Sequence, residues 1–222
     1  MNLFCWHANK FKCCGITLCK VKNTAKGVRV YLLGIPLCVV RTKLSQFFTE
    51  VKNNRDFDVR RFDAQISEMV AGQKTVKCRS DKHKIAFLAT ALYDMGGHTK
   101  CIRDLAMSLS DCYEEALFLT RMTETMKKAP ETVCVLKQHL TIINADISSW
   151  SFRKKVTAFA NNIIRYGMKT LLVYIHPDDV FGTAVLSLIK RMTSVKIIYF
   201  NHASHFPCLG MSFADILSLI HI

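Results

Sequence analysis

The chain has 222 residues, half of them hydrophobic and 22% charged, with a mean hydropathy of +0.15. This balance excludes a disordered or collagen-like polymer and fits either one ordinary domain with an extension or two small domains. The net charge is +14 and unevenly placed: residues 1–43 hold eight Lys or Arg and no acid, the first acid being Glu50. Such a segment is a solvated tail or a partner for an anionic membrane surface or a nucleic acid. Its basic residues are not interleaved with aromatics in a nucleic-acid motif, so no specific nucleic-acid partner is expected.

Within residues 1–43 a repeat is visible. The run Cys14-Gly15-Ile16-Thr17-Leu18-Cys19-Lys20-Val21-Lys22 returns nineteen positions later as Leu33-Gly34-Ile35-Pro36-Leu37-Cys38-Val39-Val40-Arg41. Each copy is a Gly-Ile turn flanked by apolar and basic residues in short β-prone alternation. Two readings stay open: a pair of short strands or loose tail, or an adhesive patch whose cations meet anionic headgroups, each worth about 1 kcal/mol there. The longest apolar run near the start, Tyr31 to Val40, is ten residues, against about 20 for a spanning helix. The ten cysteines are scattered, with no C-x-x-C pair or zinc spacing, and Trp6, His7 and Lys10 stand where a leader would be apolar. The expectation is a cytoplasmic protein with reduced thiols that meets a membrane, if at all, from the inner surface.

From Leu44 to Val70, apolar residues recur at spacings of three and four, which predicts a linker helix within residues 44–83, with a break from Gly72 to Asp81. Beyond it the texture changes. Lys84 to Thr90 is a buried-strand run, followed by a loop with Gly96-Gly97 and an amphipathic stretch from Thr99 to Leu109. Further strands are predicted at Glu115–Thr120, Leu140–Asn144, Thr170–Ile175 and Val195–Asn201, with helices at about Trp150–Tyr166 and Val180–Arg191. Strands apolar on both faces, alternating with helices, predict an α/β domain over residues 84–216. Its expected form is a Rossmann-like parallel sheet with helices on both faces.

In an open parallel sheet, ligands collect at the carboxyl ends of the strands, which singles out three loops. Gly96-Gly97-His98-Thr99 opens a helix with two glycines, so backbone N–H groups can approach a phosphate closely. The loop matches neither G-x-G-x-x-G nor the P-loop pattern. His176-Pro177-Asp178-Asp179 reads first as a helix start, with Asp178 or Asp179 as the cap, while His176 can still face the cleft. Asn201-His202-Ala203-Ser204-His205 places two histidines three apart at a strand end. They can hydrogen-bond a sugar or diphosphate, move a proton, or serve as satisfied caps. A zinc site lacks a third ligand nearby.

These stretches resemble bacterial glycosyltransferases of the two-Rossmann-domain GT-B architecture that build lipopolysaccharide and other surface glycans. Tyr31-Leu32-Leu33-Gly34-Ile35-Pro36-Leu37 is similar to an LFGIP cassette that precedes such enzymes, and Gly96-Gly97-His98-Thr99 to the glycine loop after their first strand. Asn201-His202-Ala203-Ser204-His205 followed by Leu209-Gly210, Ser212 and Asp215 is similar to N-H-A-D-H…L-G-x-S-x-x-D, with Ser204 where Asp is usual. The resemblance implies the amino-terminal domain of a transferase acting on a nucleotide-sugar donor and a glycan or lipid-linked acceptor, with no metal or other cofactor. It implies His202 as the catalytic or sugar-contacting histidine, with His98 and His205 as second choices, Gly96 and Gly97 near the donor diphosphate, and His98, Thr99, His176, Asn201 and His205 as further donor- or acceptor-binding residues. The alternative is a non-catalytic Rossmann-like binding module tethered to a membrane or polyanion by its basic segment. The terminal run Leu217-Ser218-Leu219-Ile220-His221-Ile222 resembles a translated sequencing adapter. That implies a non-native tail over 217–222, a natural reading frame continuing for a further domain, and no activity for the chain without it.

Overall fold

The computed structural model describes residues 4–7, 10–13, 16–24, 27–32, 35–40, 43–54, 58–144, 151–203 and 205–219, which fall into two compact units, Met1–Asn54 and Arg55–Ile222. In the first unit, β1 (Phe4–His7), β2 (Lys10–Cys13), β3 (Ile16–Thr24), β4 (Gly27–Leu32) and β5 (Ile35–Val40) form an antiparallel sheet in that order, followed by helix α1 (Lys43–Asn53). The basic segment is therefore a five-stranded meander rather than a pair of strands. Ile16 opens β3 and Ile35 opens β5, and both strands pair with β4, but equivalent residues of the repeat do not share a partner: Cys19 lies opposite Leu32 and Cys38 opposite Val30. The two Gly-Ile turns begin at residues 14–15 and 33–34, outside the described residues.

The second unit begins with α2 (Arg60–Met69), so the helix expected over Leu44–Val70 is two helices in different units. After it come β6 (Asp81–Ala89), α3 (Gly97–Leu109), β7 (Glu114–Leu119), α4 (Met122–Lys128), α5 (Pro130–Leu136) and β8 (Thr141–Asn144). The chain goes on through α6 (Phe152–Tyr166), β9 (Met168–Tyr174), α7 (Val180–Met192), β10 (Lys196–Asn201), a short 3-10 turn at Met211–Phe213, and β11 (Ile216–Leu219). The expected strands and long helices are present with shifted ends; α4 and α5 were not foreseen. They are seven residues each and broken by Ala129-Pro130, too short for helical periodicity to register.

All six strands of this unit run parallel in the order β11-β10-β9-β6-β7-β8. The chain builds outward from β6 to β8 on one side, then returns to β9 and builds outward to β11 on the other. This is the Rossmann-like order, with its switch point between β6 and β9. The edge strand β11 runs across the expected boundary at residue 216: Ile216 pairs with Ile198 and Leu219 with Asn201, while residues 220–222 lie outside the described part.

Strand alternation divides the core. Phe87, Ala89, Leu117, Leu119, Leu172 and Tyr174 face α3 and α5 through Ile102, Ala106, Val133 and Leu136. On the other face, Phe118 meets Phe159 of α6 edge-on at 5.9 Å, and α7 packs between α6 and α2. Both sheet faces are thus covered, which is why the central strands read as unbroken apolar runs.

A staple joins α2 to the loop after β10. Asp63, almost fully buried, accepts from Gly210 N–H at 2.8 Å and from the Ser212 hydroxyl at 2.6 Å. Gly210 sits at φ +85°, where a side chain is strained, and a Cβ there would press on Leu186 at 3.2 Å. Burial pushes the Asp63 carboxyl above its usual range, and the bonds from Ser212 and Gly210 pull against that.

Candidate functional site

The site is built where β6, β9 and β10 end together. Below it lies an anchor at the switch point: Asp179, 2% exposed, caps α7 by accepting from Gly182 N–H at 2.9 Å. Its other oxygen accepts from the hydroxyls of Thr90 at 2.6 Å and Thr120 at 2.7 Å, tying together the ends of β6, β7 and β9. The Thr90 hydroxyl also accepts from His176 N–H at 2.7 Å, which fixes the start of the His176 loop. Of the two aspartates that qualified as caps, Asp179 is the cap, and Asp178 faces Arg121 at 4.0 Å.

The glycine loop rests on the helices that sequence reasoning missed. Leu92 N–H donates to Thr125 at 3.0 Å, the Tyr93 hydroxyl donates to Glu124 at 2.7 Å, and Thr132 donates to Asp94 at 2.8 Å. Tyr93 N–H donates to the Thr99 hydroxyl at 2.9 Å, closing the loop on α3. A Cβ at Gly96 would stand 3.2 Å from Tyr93 Cβ and carbonyl oxygen and 3.3 Å from the His98 ring, so the tight turn needs glycine for space. Among the described residues no side chain caps α3, and the N–H groups of its first turn, on Gly97, His98 and Thr99, have no intrahelical acceptor. The N-terminus of α7, by contrast, is closed by Asp179.

Three histidines meet above these ends. The His98 and His202 rings stack at 4.8 Å between centroids, His176 lies 5.9 Å from His98 and 6.2 Å from His202, and Tyr93 stacks on His176 at 5.6 Å. His98 is 7% exposed, with Nε2 3.0 Å from the Ala91 carbonyl; that bond makes Nε2 the donor and leaves Nδ1 as the acceptor. Burial lowers all three toward the neutral form. For His202 burial and the neighbouring His98 hold the value at about 4; His176 is lowered by burial first, then by His98 and Arg121. Around them stand Arg121 and Glu124, whose charges meet at 3.7 Å.

The residues singled out in the sequence separate here into two groups. His98, Thr99, Gly96, His176 and His202 come together at the switch point, and Gly97 begins α3 beside them. Asn201 is a turn former: its side-chain oxygen accepts from Ala203 N–H at 3.0 Å and from the Cys208 thiol at 3.3 Å. His205 is exposed and leans on Phe206 at 4.3 Å, apart from the three-ring cluster. Ser204 lies outside the described residues. Ser212, Gly210 and Asp215 of the same pattern are structural, the last accepting from Ile197 N–H at 2.9 Å and pairing with Lys190.

No protein-family model matches this chain. Comparison with the curated proteins likewise returns no match. What stands is the Rossmann-like α/β fold and its switch-point geometry. Among the described residues no group of three His, Cys, Asp or Glu is placed to hold a metal ion, and no helix is long and apolar enough to cross a membrane.

A separate cavity of about 330 Å³ lies at the opposite end of the sheet, lined by Lys77, Cys78, Ser80, Thr193 and Ser194 among others. Helices α6 and α7 end beside it, and their carbonyl ends disfavour an anion. The chemistry that suits a phosphate is at the carboxyl rim instead. Arg121 and Glu124 of that rim escaped sequence reasoning because β7 and α4 bring them in from a segment without a motif.

Proposed function

We propose that this domain is the amino-terminal half of a GT-B glycosyltransferase of surface-glycan synthesis, and that the rim at the β6–β9 switch point is its share of the sugar-transfer cleft. One observation carries the reading: an uncapped helix N-terminus and a cluster of neutral histidines lie together at the switch point of a parallel sheet. In this reading the first turn of α3, Gly97 to Thr99, receives the diphosphate of a nucleotide-sugar donor, and Gly96 lets the loop lie close to it. A hydroxyl of a glycan or lipid-linked acceptor attacks the anomeric carbon. The bond to the diphosphate breaks, and the acceptor's proton passes to His202, which is neutral at pH 7 and so free to take it. The N–H groups of α3 stabilise the charge that gathers on the leaving diphosphate. His98 holds the His202 ring by stacking, and His176 with Tyr93 forms the wall beside it. The second domain of such an enzyme and an anionic membrane surface under the basic segment are parts of the same proposal.

The test is binding to the chain, followed by amide resonances. Titration with a uridine diphosphate hexose is expected to shift the N–H signals of Gly97, His98 and Thr99 while those of Lys77 and Ser194 stay fixed. Shifts confined to the opposite end of the sheet, or none, would refute the assignment. Binding at the rim by a chain joined to such a second domain, without sugar transfer, would favour the non-catalytic module.

A further inference from the structure

We propose that the histidine cluster is a proton gate for this site: the rim takes up one proton, onto His176, together with each diphosphate-bearing ligand, and His202 stays neutral as the base. The inference rests on the reading of the rim given above and adds its regulation.

The geometry that leads to it is the crowding of three imidazoles. Centroid separations of 4.8 to 6.2 Å leave room for one positive charge at most while no anion is bound, because two imidazolium rings at that range repel strongly. His98 is already committed, with Nε2 turned to the Ala91 carbonyl. Among the described residues His202 has only a long contact of 3.4 Å to the Phe200 carbonyl, and the His176 ring is held by stacking on Tyr93. These two rings keep a nitrogen free to receive a proton.

Other charges face the cluster from every element around it. Tyr93 comes from the glycine loop, Arg121 from the β7–α4 connection, Glu124 from the first turn of α4, and Asp178 and Asp179 from the β9–α7 loop. Arg121 opposes a proton on His176, whereas Asp178 and Asp179 favour it. Asp179 is engaged by three donors and Asp178 by Arg121, so the empty rim stays neutral. An arriving diphosphate reverses the sign of the local field. At hydrogen-bonding range and the effective dielectric of a protein rim, it favours an imidazolium by about ten- to hundredfold. The balance is simple: ligand, site and one solvent proton combine, one N–H bond forms, and nothing is oxidised or reduced.

The sign follows from linkage: a site that gains a proton on binding holds its ligand more tightly as pH falls. The probe is a uridine diphosphate hexose, whose diphosphate diester does not titrate over the range used. Calorimetric titration into the full chain at about pH 7.5 and about pH 5.5, each in two buffers of different ionisation enthalpy, is expected to give a Kd about tenfold lower at the acid end. The heat should depend on the buffer there, and imidazole Cε1–H resonances should show the midpoint of His176 rising when ligand is present. Binding with the same Kd at both pH values and buffer-independent heat would overturn the gate while leaving the site reading intact. Proton uptake without movement of the His176 midpoint would also overturn it. Absence of binding at both pH values would sink the site reading, and the gate with it.

Discussion

Glu115 offers the sharpest test of the fold's electrostatics. It lies near the start of β7, is 4% exposed, and among the described residues neither carboxylate oxygen has a hydrogen-bond partner. Burial alone pushes its value from 4.5 up to about 7. A carboxyl raised on folding binds its proton more tightly in the folded state, so stability is full below about pH 4.5 and falls as pH rises toward 7. A shift from 4.5 to about 7 corresponds to at most about 3 kcal/mol lost above pH 7. Water near the strand's start screens part of this, leaving about 1–2 kcal/mol. Glu115→Gln keeps the shape and removes the ionisation. Urea unfolding followed by far-UV circular dichroism should find the variant more stable than the parent by about 1–2 kcal/mol at pH 8 and equal within about 0.5 kcal/mol at pH 4. The three rim histidines also titrate against folding, but comparing the two proteins at one pH cancels them. A difference that is the same at both pH values would refute the argument.

Other substitutions probe the anchor and the staple. Asp179→Ala removes the α7 cap and leaves the Thr90 and Thr120 hydroxyls without their acceptor, so a loss of about 2–4 kcal/mol is expected in chemical denaturation. A loss under 1 kcal/mol would show that the switch point is not held there. Asp63→Ala frees Gly210 N–H and Ser212 and should cost about 2–3 kcal/mol, whereas Ser212→Ala, which leaves the Gly210 bond intact, should cost about 1 kcal/mol. Equal losses for the pair would contradict the staple. His205→Ala should change stability by less than about 0.5 kcal/mol and leave uridine diphosphate hexose binding unchanged, because its ring is exposed and outside the cluster. A tenfold weaker Kd would bring His205 back into the site.

The sequence by itself determined the class of the second unit. Runs such as Ile85 to Ala89 and Leu171 to Tyr174 are apolar at every position because both faces are covered, and the intervening helices carry a 3.6-residue stripe. The three rim loops were legible for the same reason: in a parallel sheet, the loops after β6, β9 and β10 all open at one end. Periodicity, however, records only whether a residue faces the interior. It does not say which distant partner waits there. That Asp179 rather than Asp178 is buried under Thr90 and Thr120, that Asp63 holds Gly210 and Ser212 across 147 residues of sequence, and that α4 and α5 support the glycine loop were settled by tertiary packing. Packing also drew His98, His176 and His202 into one cluster and left His205 outside, since three residues along an irregular loop are enough to turn a ring away from the sheet's end.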